Sequence, residues 1–290
     1  MPEFLQFLAS GLTVGAIYAL VALGFTLIYN ASDVINFAQG EFVMLGGMVT
    51  VFATAAGVPL PLAALIAIVA TVLVGLALHR FAIAPARGAS AVTLIIITIG
   101  ASILLRGLAA VIFDKRFHSL PPIAGNKPLL VGGAAILPQS IIVLAATAVI
   151  VVLLWALMTR TLIGKALLAT AANRLAARLV GIDTGRMVGL SFVVSAAIGA
   201  IGGILVTPIT LTSYDVGTLL ALKGFAAAML GGMGSPLGAV LGGLIVGLLE
   251  AFGAGYVSSA YKDAIAFLVI LDVLFVMPHG LFGRAGVERV

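Results

Sequence analysis

TRTLIGKALLATAANRLAARLVGIDTGR, residues 159–186, is the one long basic interruption in an otherwise apolar chain. It contains one acidic residue, Asp183, and five basic residues: Arg160, Lys165, Arg174, Arg178 and Arg186. At 100° per residue, four positions fall on one narrow apolar stripe of a helix: Leu168, Ala172, Leu175 and Leu179. Gly164 and Gly181 are the start and stop signals of such a helix. The stretch therefore predicts one short amphipathic helix, residues 164–182, between two membrane spans, with an apolar ridge that needs a partner.

Two kinds of partner suit this ridge. The helix can lie on anionic lipid, with its arginines among the headgroups and its apolar side in the acyl boundary. It can also insert the ridge into a groove on a cytoplasmic protein. The residue pattern by itself favours neither over the other.

The composition of the chain identifies it as an integral membrane protein. Of its 290 residues 62% are hydrophobic and only 9% are charged, and the mean hydropathy is +1.29. A soluble domain has about 25% charged residues, so this chain cannot cover itself with water-facing groups. The net charge of +5 reflects basic loops on one side of a membrane and does not indicate nucleic-acid binding.

Nine apolar stretches predict the membrane-inserted helices of an all-α polytopic protein, about eight to nine in number. They are residues 4–29, 42–57, 60–82, 91–113, 138–158, 187–212, 218–234, 236–257 and 264–281. Most approach the roughly 20 residues that cross a bilayer core. The stretches 42–57 and 218–234 are short, and broken or re-entrant elements are an alternative for both. The whole chain, residues 1–290, is expected to form a single membrane domain without a cleaved signal peptide.

Charge asymmetry predicts the orientation. The basic segment 159–186, the turn 79–87 with Arg80 and Arg87, and the tail with Arg284 and Arg289 should face the cytoplasm. The N-terminus has no lysine or arginine in its first segment and should lie outside. This scheme makes 114–137 an external loop in spite of its three basic residues, and its prolines and glycines predict a lid or a small hairpin.

Polar residues interrupt two apolar segments between Ile28 and Gly47. Asn36, Gln39 and Glu41 are the candidates for a transport pathway or gate, because polar side chains near membrane depth are costly unless they meet water, substrate or one another. A plain cytoplasmic turn between two spans is the alternative interpretation.

Isolated charges within spans form a third group of candidates: Arg106, Lys223, Glu250 and Asp272. Arg106 and Lys223 can extend their charges to the interface from near helix ends. Asp272 is more central, and it can pair with Arg106 or Lys223, face a partner subunit or reach water. Lys223, Glu250 and Asp272 are therefore possible buried charges.

Small residues recur every four positions between 234 and 255. The two rows are Gly234, Gly238 and Gly242, and Gly243, Gly247, Ala251 and Gly255. Such rows let helix backbones approach closely in lipid, so we expect them to pack helices together rather than contact a substrate.

The sequence contains no motif of its own for catalysis. It has no glycine-rich phosphate loop followed by Lys-Ser/Thr, no metal-ligand spacing and no cysteine, and its three histidines lie far apart. We therefore expect no catalytic site, no bound metal and no cofactor. Energy for uphill transport would have to come from a partner or from an ion gradient.

Four segments, in order along the chain, resemble LivH-type permeases of importers for branched-chain amino acids. They are DVINFAQGE at 33–41, the segment 164–182, GGMGSP at 231–236, and the ending 261–284 with VMPHGLFGR. The resemblance runs from about residue 11 to residue 289. Three departures stand out: Gln39 where histidine is common, Ala172 and Asn173 where the family usually has an acidic pair, and Asp272 where it has an apolar residue.

The resemblance implies a permease subunit in a bacterial inner membrane. The segment 164–182 would be the helix that couples to an ATPase, through Gly164, Lys165, Leu168, Ala172, Leu175, Arg178, Leu179 and Gly181. The implied partners are a homologous second permease, two ATPase subunits that bind ATP and Mg, an external solute-binding protein and the lipid bilayer. Because Ala172 and Asn173 replace the acidic pair usual in the family, docking to an ATPase cannot depend on those carboxylates in this chain.

Three classes of function remain open on the sequence. The first is the importer permease, with alternating access driven by the ATPases; its cargo is a branched-chain or other hydrophobic amino acid, or else urea, short amides or small carboxylates. The second is a self-sufficient secondary transporter or channel, for which Asp272 alone is thin support. The third is a membrane scaffold without transport, which leaves the polar residues 30–41 unexplained.

Overall fold

A computed structural model describes residues 2–86, 88–125 and 127–283. In this part of the chain the helices are α1 (Pro2–Ser32), α2 (Gln39–Ala55), α3 (Leu60–Ala77), α4 (Ala91–Ile112), α5 (Pro138–Arg160), α6 (Leu162–Ala172), α7 (Arg174–Leu179), α8 (Thr184–Thr210), α9 (Val216–Gly231), α10 (Pro236–Phe252) and α11 (Lys262–Val276). Wider π-type turns extend α3 through Ile83 and α10 through Val257. Two short antiparallel strands, β1 (Leu129–Val131) and β2 (Ala134–Ile136), form a hairpin.

Polar residues between the apolar stretches begin several of these helices. Each accepts a hydrogen bond from a backbone N–H in the first turn, as helix N-caps do: Ser90, Thr161, Asn173, Asp183 and Ser235. Pro138 and Pro236 open α5 and α10, where a missing N–H costs nothing. The sequence thus marks helix starts locally, whereas the apolar stretches set helix lengths.

Six described helices are long and apolar enough to cross a membrane. They are Pro2–Ser32, Leu60–Ile83, Ala91–Ile112, Pro138–Arg160, Thr184–Thr210 and Pro236–Val257. The remaining apolar helices α2, α9 and α11 have 17, 16 and 15 residues. The predicted all-α polytopic membrane fold is confirmed, while the number of crossings stays a prediction.

Helix α1 is the centre of the bundle. Within its most apolar window 89% of the residues are buried, and it packs against α5, α8, α9 and α10. The seam with α10 is a contact of backbones, because Gly243 lies against Ala19, and Gly247 against Gly15. Gly238 and Gly242 face the end of α9 instead. The small residues of both rows that lie within α10 therefore pack helices, as expected, whereas Gly234 lies in the turn before α10 with φ +98°.

Helices α3, α4 and α5 form an outer layer. In their apolar windows only 22%, 11% and 17% of the residues are buried, and the outward side chains are mostly leucine, isoleucine and valine. A soluble protein would not expose so much apolar surface, but a helix in contact with lipid does.

Contacts between distant segments define two ends of the bundle. At the basic end, which carries 159–186, Arg174 donates to the Ala31 carbonyl over 2.8 Å and Asn30 donates to the Gly234 carbonyl over 2.9 Å. At the opposite, hairpin end, the Gln6 side chain bonds to the backbone of Ala135, and His118 pairs with Thr212. The predicted external loop 114–137 thus contains the expected hairpin and lies far from the basic end.

The sides of the membrane that the two ends face stay a prediction. Arg87, Arg284 and Arg289, which entered that prediction, lie outside the described residues.

In the hairpin-end loop, hydrogen bonds from the Arg116 backbone N–H and the His118 ring lower the pKa of Asp114.

Candidate functional site

The basic segment folds as two helices, so the prediction of a single helix over 164–182 was wrong. Asn173 has φ −161° and ψ 107°, which ends α6, and its side chain accepts a hydrogen bond from the N–H of Ala176 at the start of α7. Helix α6 begins at Leu162, capped by Thr161, two positions before the predicted start at Gly164. Gly181, with φ +88°, follows α7 as the predicted stop signal.

The predicted apolar ridge is nevertheless on the outside of both helices. Leu168 is 46% exposed, Leu175 is 69% exposed and Leu179 is 80% exposed. Ala172, Lys165 and Arg178 are also exposed. Because Leu175 and Leu179 lie four residues apart, they share one face of α7. The segment therefore presents apolar side chains that nothing in the described chain covers.

Other residues of the segment hold it against the bundle. Leu167 and Ala177 are buried, and Gly164 lies against the Leu157 carbonyl so closely that a Cβ would collide with it. Arg178 donates to Thr184 over 2.8 Å, so this predicted coupling residue braces the corner before α8. Gly164 and Arg178 thus have structural roles that the ridge pattern did not reveal.

Arg174 connects the segment to the end of α1. Besides its bond to Ala31, its guanidinium forms an ion pair with Asp33 over 3.3 Å. Asp33 begins the connection that leads through residues 34–38 to α2, and it has a φ of 53°. The coupling segment is therefore bonded directly to the stretch that carries Asn36, Gln39 and Glu41.

Asn36, Gln39 and Glu41 are fully buried inside the bundle. The hydroxyl of Ser195 in α8 donates to the Gln39 amide oxygen over 2.6 Å, and the Gln39 amide nitrogen donates to the Ser195 carbonyl over 3.3 Å. Gly24 in α1 leaves the space that the Gln39 amide fills. Because Gly24 and Ser195 lie within their helices, the interpretation of a plain surface turn is wrong.

Glu41 is the most unusual member of this group. Ser102 in α4 donates to one carboxylate oxygen over 2.8 Å, while the other oxygen, Oε2, is buried without a hydrogen-bond donor. That oxygen lies beside Gly217, in the first turn of α9, and the backbone of Gly40 touches Gly217 as well. Two helix N-termini, those of α2 and α9, therefore meet at Glu41 inside the bundle.

For the two short stretches, the alternative of broken or re-entrant elements stays a prediction. Helices α2 and α9 both begin in the interior, as broken helices that line a site do in transporters. One groove of about 430 Å³ lies between α1, α5 and α6, and another of about 660 Å³ lies between α9 and α11. Neither is lined by Asn36, Gln39 or Glu41, so their role as a gate stays a prediction.

The charges Lys223 and Glu250 belong to a network beside Tyr18, near the middle of α1. Lys223 contacts both Glu250 oxygens over 2.9 Å and Asp263 over 2.7 Å. Tyr18 donates to Glu250 over 2.7 Å, and the Lys262 ammonium lies 3.2 Å from the Glu250 carboxylate. The network joins α1, α9, α10 and α11. Sequence reasoning missed Tyr18, Lys262 and Asp263. A charge inside an apolar stretch indicates that a partner exists, but the sequence does not show which distant residue it is.

For these charges, one prediction was wrong and one of the alternatives for Asp272 does not hold. Lys223 does not extend to the interface, since its side chain is only 12% exposed within the network. Asp272 pairs with neither Lys223 nor Arg106, and it lies on the exposed side of α11 instead. Arg106 donates to Thr218 over 2.9 Å.

Replacing Lys223 with methionine should destabilise the protein by about 2 kcal/mol. The Glu250 side chain is 8% exposed and would keep Tyr18 and Lys262 but lose its closest counterion. Chemical unfolding of the detergent-purified chain measures the difference. Lys262→Met is the control, because that side chain is 45% exposed and should matter less. Equal losses for the two variants would contradict the central position of Lys223.

Comparisons with known proteins agree with the resemblance noted in the sequence. Residues 7–274 match the family model described as branched-chain amino acid transport system / permease component. The chain is 34% identical to the permease protein BraD of Pseudomonas aeruginosa over 100% of both chains. It is 36% identical to the permease protein LivH of Escherichia coli K12, covering 99% of this chain and 98% of LivH.

More distant likenesses extend to other permeases. The ribose import permease RbsC of Haemophilus influenzae is 27% identical over 88% of this chain and 80% of RbsC. The solved structure of PsaBC from Streptococcus pneumoniae in complex with Fab has a TM-score of 0.52 at 15% identity, over 98% and 94% of the two chains, which shows a shared fold. On the full-length identities and the family match, this multi-pass membrane protein belongs to the family of permease components of branched-chain amino acid transport systems.

Proposed function

We propose that this chain is one permease subunit of an ATP-driven importer for branched-chain amino acids in a bacterial inner membrane. The observation that carries the proposal is the outward apolar face of α6 and α7 on a segment bonded through Arg174 to Ala31 and Asp33. A membrane scaffold without transport would need the outward apolar face to bind a partner, but it would not need the bonds of Arg174 to Ala31 and Asp33. Full-length similarity to LivH and BraD, whose names give branched-chain amino acids as cargo, supports the substrate class.

The remaining subunits supply what this chain lacks. Two ATPase subunits would bind the α6–α7 face and hold ATP and Mg, a related permease would complete the membrane core, and a periplasmic binding protein would deliver the cargo. The sequence has no phosphate loop of its own, which supports ATP hydrolysis by a separate subunit.

Movement of the coupling segment has a defined route into the bundle. A displacement of α7 pulls on Asp33 through Arg174, and Asp33 begins the connection to α2. A shift at the start of α2 would alter the contacts of Gln39 with Ser195 and of Glu41 with Ser102, which makes Asn36, Gln39 and Glu41 the proposed gate. ATP must bind one of the two arrangements more tightly for this to drive transport, because equal affinity shifts no equilibrium.

Uptake into proteoliposomes tests the proposal. Radiolabelled leucine should accumulate only when the chain is reconstituted with its partner permease, ATPases, loaded binding protein and ATP. A competition panel of isoleucine, valine, urea and a small carboxylate then separates the candidate cargoes. Accumulation by this chain alone under an ion gradient would instead support the secondary transporter, and the proposal would be wrong.

A further inference from the structure

Asp272 is a charged residue on an outward, apolar face of α11. It is exposed, and within residues 2–86, 88–125 and 127–283 it forms no hydrogen bond or ion pair. Leu268 and Phe275 share its face at helical spacing and are 61% and 82% exposed. A carboxylate among apolar side chains in a span is unfavourable in lipid, so charges placed there usually meet a partner or water.

Asp272 lies one helical turn before the C-terminal end of α11. The helix continues to Val276, roughly 6 Å further at 1.5 Å per residue. Val276 and Met277 are apolar and are 81% and 48% exposed, so apolar side chains surround the carboxylate on both sides along the chain. Lysine and arginine can reach past such a turn to the headgroups, but the short aspartate side chain cannot.

A groove of about 660 Å³ runs beside this face, between α9 and α11. Its lining is apolar and includes Phe225, Met229, Leu271 and Leu274. Helix α11 packs against α9 and α10, while Leu268, Phe275 and Val276 on its surface are exposed. A groove with an adjacent carboxylate suits a membrane helix that inserts apolar side chains and brings one positive charge.

The charge of Asp272 also distinguishes between two possible partners. Paired membrane subunits are usually related by a twofold axis, which must run along the membrane normal, so equivalent residues lie at equal depth. Two copies of this chain joined through α11 would bring Asp272 towards its own equivalent, and two carboxylates without water repel. A different chain can place a lysine or arginine there.

We propose that the α11 face of Leu268, Asp272 and Phe275 binds a helix of a second, non-identical permease subunit that carries a lysine or arginine opposite Asp272. The proposal rests on the proposed function, which requires a second permease. It specifies where on this chain that subunit binds and why a second copy of the chain does not suffice.

Co-purification from membranes tests the proposal when a second, non-identical permease of the same family and organism is co-expressed with a different tag. Asp272→Lys should reduce recovery of that permease at least tenfold, and an acidic substitution of the facing cation should restore it. Asp272→Leu should also weaken recovery, yet the isolated variant should unfold no more readily than wild type, because it removes a charge from lipid. A purely structural role would lower the stability of the isolated chain.

Crosslinking identifies the neighbour directly, because the chain has no cysteine of its own. A photoactivatable maleimide on Leu268→Cys should capture the second permease, while the same reagent on Leu153→Cys in α5, which is 63% exposed, should not. Unchanged recovery with Asp272→Lys, or capture of another copy of this chain, would overturn the proposal. Neither assay needs ATP or cargo, so failed transport would count against the proposed function alone.

Discussion

Leu175→Glu is expected to weaken binding of the ATPase subunits severely while leaving the permease folded in the membrane. Leu175 is 69% exposed on α7 and shares its face with Leu179, so the substitution removes little internal packing. In the assembled transporter the same position would bury a carboxylate in an apolar interface. Losses at the centre of an interface are about 2–4 kcal/mol, which weakens binding by about 30- to 700-fold.

Titration of purified ATPase onto the detergent-solubilised permease measures this effect. Leu130→Glu is the matched control, because Leu130 in β1 is 78% exposed at the hairpin end, opposite the coupling segment. The control should bind ATPase as wild type does. If Leu175→Glu binds equally well, the ATPase docks elsewhere and the α6–α7 face has to be explained by lipid.

The break at Asn173 shows what helical periodicity can and cannot predict. The 100° pattern places Leu168 and Leu175 on one stripe without regard to the backbone between them. Asn173 is a residue type that caps helices, and that signal was present in the sequence. Leu168 in α6 and Leu175 in α7 are both exposed in spite of the break, because both helices lie on the surface of the bundle. The pattern therefore predicted which residues face outward but not the shape of the surface they form.

The location of the polar residues at 36–41 could not be read from local sequence. Helix α1 has 31 residues, and the chain then turns at Asp33 and runs back beside Gly24 before α2 begins. Hydropathy places the polar residues after a span, which suggests the membrane surface. Only the tertiary contacts with Ser102 and Ser195 place them inside. The ion network of Lys223 was hidden for the same reason, since its members are distant in sequence.

Gly247→Leu is expected to prevent folding of the bundle. A Cβ at Gly247 would fall on the backbone of Gly15 and close to the Gly11 carbonyl, and neither can rotate away as a side chain does. Helices α1 and α10 would have to separate along the most extensive helix contact among the described residues. Overpacking a core costs about 1–3 kcal/mol where side chains can adjust, so a backbone collision should exceed that range.

Gly100→Leu is the control that makes this result specific. Gly100 also lies within a membrane helix, α4, but apart from the adjoining backbone of α4 nothing lies within 4 Å of a Cβ built there. Leucine should therefore stabilise the isolated chain, by up to about 1 kcal/mol, because glycine is the poorer helix former. The same substitution in two membrane helices should thus give opposite signs in thermal unfolding and in the yield of monodisperse protein. If both variants fold equally well, α1 and α10 are further apart than the structure has them, and the bundle cannot be built around α1.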